Sequence, residues 1–122
     1  MTTLVRRSYS PATIALWTAQ IAAAGMFAFA GGLKLAGAPE MVQTFDAVGI
    51  GQWFRYVTGT IEVVSALLLL VPSLAFFGAV ALVPTMIGAV LTHLFIVGGS
   101  AAPAIVLLVT VTAIAWARRD TL

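Results

Sequence analysis

The sequence predicts an all-α membrane protein: an up-down-up-down bundle of four spanning helices, with a short interfacial helix between spans one and two. Three observations carry that prediction. Charged residues make up 8% of the 122 and apolar residues 61%, which leaves too little charge to cover a soluble domain of this size. Mean hydropathy is +1.10, so the surplus apolar surface is expected to face lipid. Four apolar runs are separated by proline and glycine punctuation rather than by linkers. By length the chain is one domain, residues 1–122.

Span one is expected over about 12–33. Ser10 is a candidate N-cap, Pro11 occupies the first helical position, and no charge interrupts Ala12 to Leu33. At 1.5 Å per residue this run measures about 33 Å, enough to cross a bilayer core. The 34–52 segment is the long connection. Within it, PEMVQTFDAVG places Met41, Phe45 and Val48 at i, i+4 and i+7, the pattern of a short helix lying on a membrane surface. Span two runs over about 53–71 and stops at Pro72. Span three covers 74–97, with Pro84 inside it as an expected kink, and ends at Gly98-Gly99. Span four covers 101–117, with Ser100 as a cap and Pro103 in the first turn. The two short connections predict tight antiparallel hairpins.

Arg6, Arg7, Arg118 and Arg119 flank the ends, against Lys34 and Arg55 on the other side. This predicts a multi-pass protein of the cell membrane with both termini cytoplasmic. Trp17 and Trp116 then lie toward the inner rim, and Trp53 and Tyr56 toward the outer one. The first span runs on too far, without a polar region, for a cleaved signal peptide. The Arg6-Arg7 pair is read as a positive flank rather than an export signal. A net charge of +2 without a basic stripe excludes nucleic acid as a partner. The absence of cysteine removes disulfides, thiol redox chemistry and thiolate metal sites. One histidine cannot supply both axial ligands of a haem, and the donor set is too small for a metal.

The chemically distinctive residue is Glu62, in YVTGTIEVVSALLLLVP (56–72). A carboxylate in such a run needs a partner, a proton or water. Counted from the ends of their spans, Glu62 lies about 10 Å and His93 about 6 Å below the outer rim. The two are therefore expected to meet between adjacent antiparallel helices. Lys34 and Arg55 reach the same face, so the partner of Glu62 is expected to be His93, Lys34 or Arg55, and Asp46, Trp53 and Tyr56 are possible contributors from above. Small-residue stripes are expected to let helices approach: Ala24, Ala28 and Gly32 in span one, Gly59 and Ala66 beside Glu62, and Ala81, Thr85, Gly88 and Thr92 in span three. The cluster Lys34, Arg55, Glu62 and His93 is open to three roles: a structural pairing that fixes register, a recognition site for a small molecule or protein, or chemistry.

AGGLKLAG (30–37), the loop with Phe45 and Gly49, GTIEVVSALLLLVP (59–72) and a third span with a late His93 together resemble the DoxX-like family of small four-helix membrane proteins. The resemblance spans nearly the whole chain and points to Lys34, Glu62 and His93 as the positions to carry over. Named members include the small subunit of a thiosulfate:quinone oxidoreductase. Small size, four spans and too few polar groups for an autonomous active site then suggest an accessory or assembly subunit, serving a membrane redox system or a partner protein. The alternative is a site for a lipid-soluble molecule such as a quinone, in an outward-facing pocket around Glu62 and His93. A protein partner or homo-oligomer within the bilayer follows from either. No autonomous catalytic constellation and no resident cofactor are expected in this chain, although a quinone or lipid could be its ligand.

Overall fold

The computed structural model describes residues 10–121. Arg6 and Arg7, on which half of the inner charge flank rests, lie outside them. Among the described residues every regular element is helical. Helix α1 spans Pro11–Ala36. The Ser10 hydroxyl accepts the Thr13 N–H at 3.1 Å and so satisfies one of the orphan donors of the first turn. At the other end the backbone turns left-handed at Gly37, φ +76°. Gly37 N–H returns to the Lys34 carbonyl and Ala38 N–H to the Leu33 carbonyl. This paired closure needs a residue without a Cβ penalty at that position.

Helix α2 spans Pro39–Val48. Its Phe45 is buried and meets Phe54 edge-on, with ring centroids 5.9 Å apart. Helix α3 spans Trp53–Leu69 and buries Arg55, Gly59, Glu62, Ala66 and Leu69. The spacing is 4-3-4-3, so all five lie along one seam. Helix α4 spans Ala75–Thr92 and continues as a π-helical turn, His93–Val97. Pro84 lies inside α4 without ending it. Its missing N–H leaves a gap in the ladder, and the Thr85 hydroxyl donates to the Ala81 carbonyl at 3.1 Å beside it. Helix α5 spans Ala102–Arg118, followed by a 3₁₀ turn, Arg119–Thr121.

Helix α1 packs on α3, α3 on α4, α4 on α5, and α5 returns to α1, around Phe27, Leu69, Leu82, Val111 and Ile114. Along α1 and α3 residue numbers run in opposite directions: Gly31 lies against Glu62, and Gln20 reaches Leu69. Two of the helices, Pro11–Ala36 and the continuous Ala75–Val97, are long and apolar enough to cross a membrane. What sets the distribution of side chains apart from that of a soluble domain is the outer surface, which is apolar as well as the core. The seams carry Ala23, Ala24, Ala66, Ala75 and Ala79 together with Gln20, Arg55, Glu62 and Ser65, while Phe29, Leu67, Phe95, Val106 and Val109 face outward. Isolated exposed apolar residues are ordinary in a soluble protein, but outward-facing Ile, Leu, Phe and Val on every one of these four helices are not.

The small-residue stripes come out differently from the sequence expectation in two helices. In α1 the buried positions are Gln20, Ala23, Ala24, Phe27 and Gly31, while Ala28 faces outward. A strict spacing of four drifts by roughly 40° per step around a helix of 3.6 residues per turn, so it cannot follow one seam. In α4 the buried face is Ala75, Gly78, Ala79, Leu82 and Met86, and Gly88 of the expected stripe has open space around it.

Candidate functional site

Two glycines create the site. A Cβ on Gly31 would lie 2.8 Å from the Gly59 carbonyl oxygen, and one on Gly59 would lie 3.1 Å from the Gly31 carbonyl oxygen. Helices α1 and α3 therefore cross with their backbones in direct contact, which only the absence of side chains permits. Each glycine is followed one turn later by a charged residue, in G-G-L-K (31–34) and G-T-I-E (59–62). Because the helices are antiparallel, Lys34 lies against Gly59 and Glu62 lies against Gly31. The two side chains then close on each other, and Lys34 Nζ sits 2.7 Å from Glu62 Oε1. Glu62 is 1% exposed and Lys34 15%. Beyond this ion pair, Oε1 has no hydrogen-bond partner among the described residues.

Arg55 completes the end of α1. Its Nη1 donates to the Lys34 carbonyl, placing a guanidinium on the negative end of the α1 dipole. Its Nε donates to Gln52 Oε1 at 2.7 Å, and Gln52 Nε2 donates to Asp46 Oδ1 at 2.7 Å and to the Val42 carbonyl at 3.0 Å. A continuous polar chain thus runs from the exposed Asp46 of α2 through Gln52 and Arg55 to the residue that holds Glu62. Tyr56 joins through its ring, 4.4 Å from the Arg55 guanidinium carbon. The Trp53 indole N–H donates instead to the Ile50 carbonyl, and its ring packs on Phe54, so it braces the turn rather than the charges.

His93 does not meet Glu62. Its Nδ1 lies 2.9 Å from the carbonyl oxygen of Gly98, the residue that ends its own π-helical turn. The reason is register. A Cβ on Gly78 would touch Ser65 and Leu68, which puts Glu62 level with the middle of α4. His93 lies on the order of 15 Å further along that helix at 1.5 Å per residue. There the π-helical turn packs on α2. Depth counted inward from each span's end assumed equal spans, and α4 with its extension is longer than α3.

A second buried polar contact lies at the opposite end and was not anticipated from the sequence. Gln20 is fully buried, donates Nε2 to the Leu69 carbonyl at 2.7 Å and accepts Arg118 Nε at 2.8 Å. It joins α1, α3 and α5. An uncharged amide within a 26-residue apolar helix was the available signal, and a reading keyed to formal charge passed over it. No group of three or more His, Cys, Asp or Glu among the described residues could hold a metal ion.

The arrangement can hold register, shield a charge pair from hydrocarbon and connect it to the rim. Helices with small and polar seams and apolar outer faces, joined through a buried ion pair, define an α-helical membrane protein. The DoxX-like family model matches residues 18–117, and the chain belongs to that family. No curated protein and no solved structure matches it.

Proposed function

We propose that this chain is a multi-pass accessory or assembly subunit of the cell membrane, with four helices crossing up-down-up-down and α2 lying at the interface, serving a membrane redox system or another protein partner. The observation that carries this reading is the self-satisfaction of its charged interior. Glu62 is engaged by Lys34, Arg55 caps the helix that bears Lys34, and the apolar surface is left outside. Such a chain has register and surface to offer a neighbour, while the charged groups of this cluster, Lys34, Arg55 and Glu62, are already engaged within the fold. Family membership supports the membrane setting. A quinone held between Glu62 and His93 has weaker support, because helix register keeps the two residues apart. The test is affinity purification of the tagged chain from its native membrane in mild detergent. Stoichiometric co-purification of one membrane protein is expected. Recovery of the chain alone from every extraction would remove the accessory reading.

A further inference from the structure

The outer face of α5 carries a groove that ends on a cation. A shallow, open depression is lined by Leu108, Val109, Thr112, Ala113 and Trp116. These positions follow one face for about 12 Å of helix. The groove makes no polar demand of its own, because the Thr112 hydroxyl already donates to the Leu108 carbonyl at 2.7 Å. At its end stands Trp116, 67% exposed, and the Arg119 guanidinium carbon lies 3.7 Å from the centroid of that ring. Arg119 donates through Nη1 to the Trp116 carbonyl. Among the described residues it forms no ion pair, even with neighbouring Asp120.

We propose that this face binds an anionic phospholipid, with the phosphate on Arg119 and one acyl chain along the groove toward Leu108. The two halves of the site require each other: an inorganic anion would leave the groove without purpose, and a neutral lipid would leave the arginine unmatched. A guanidinium held over an interfacial indole is placed at headgroup depth, where a basic residue draws anionic lipid. The inference rests on the chain being embedded in a bilayer, but not on its having a protein partner.

The test uses the purified full chain in detergent, with native mass spectrometry counting retained lipid. Phosphatidylglycerol and phosphatidylcholine with identical acyl chains are supplied in turn. Phosphatidylglycerol is expected to be retained about fivefold more, the preference one basic residue confers near a membrane surface. Arg119→Gln should abolish the preference and Arg119→Lys should keep most of it. Val109→Trp, at an outward-facing position, should lower retention of both lipids without changing the thermal melt. Equal retention of the two lipids, a preference that survives Arg119→Gln, or displacement by inorganic phosphate alone would each overturn the proposal. A chain that purifies without protein partners yet retains the lipid removes the accessory reading and leaves this one standing.

Discussion

Glu62 and Lys34 set the chemistry at the scale of single residues. An ionised group alone near the bilayer centre costs about 2.5–3.5 kcal/mol on insertion scales, so each makes the other tolerable. Glu62→Gln leaves Lys34 facing an amide and is expected to destabilise the protein by about 3 kcal/mol, the usual effect of removing one partner of a buried pair. Lys34→Gln combined with Glu62→Gln should cost less than the two single changes added together. Thermal denaturation of the four proteins in one detergent measures that coupling, and strict additivity would contradict the pairing. His93→Ala removes a bond to Gly98 within a local turn and should shift stability by less than about 1 kcal/mol, without altering the effect of Glu62→Gln. The acid was legible in the sequence because it breaks an apolar run, and Lys34 was among its expected partners. The His93 contact was misjudged because helix register cannot be obtained by counting from span ends. Gln20 escaped because a neutral amide leaves no mark on a charge tally.

Between α1 and α3 the glycines decide how close the helices come. Gly31 and Gly32 are sequence neighbours with opposite expected behaviour. A methyl at 31 meets the Gly59 carbonyl oxygen and the Val63 side chain, both at 2.8 Å, whereas a methyl at 32 meets nothing within 4 Å. Gly31→Ala should therefore destabilise by about 1–3 kcal/mol through overpacking. Gly32→Ala should be neutral or stabilise by up to about 1 kcal/mol, from helix propensity alone. Melting curves for the two variants decide this directly, and equal effects would mean that the backbones do not touch. Helix existence was readable from Ser10-Pro11, Pro72, Gly98-Gly99 and the apolar runs between them. Helix facing was less so. In α3 the acid marked the seam, but α1 and α4 carry small residues on their outer faces as well as their inner ones. Lipid tolerates alanine and glycine on either side.

For the whole molecule, the apolar outer faces of the described helices suit lipid, and the proposed topology can be tested because the chain has no cysteine. Single reporters at Gln43→Cys in α2 and Asp120→Cys near the end of the chain should react with an impermeant maleimide from opposite sides of sealed vesicles. Labelling of both from one side would rule out four crossings. The overall class was the most legible property of all, since composition alone excludes a soluble fold. The pairwise packing of helices was not, because it rests on a few contacts that composition cannot express. The separation of Lys34 and Glu62 along the chain has a consequence for biogenesis. The lysine is synthesised with the first helix, before the ribosome has reached its counter-charge, so that helix should rest provisionally at the rim until the third arrives. Released fragments ending after Val48 should insert less completely than fragments ending after Val71, and Lys34→Gln should narrow that difference, as a glycosylation reporter fused behind each fragment would show.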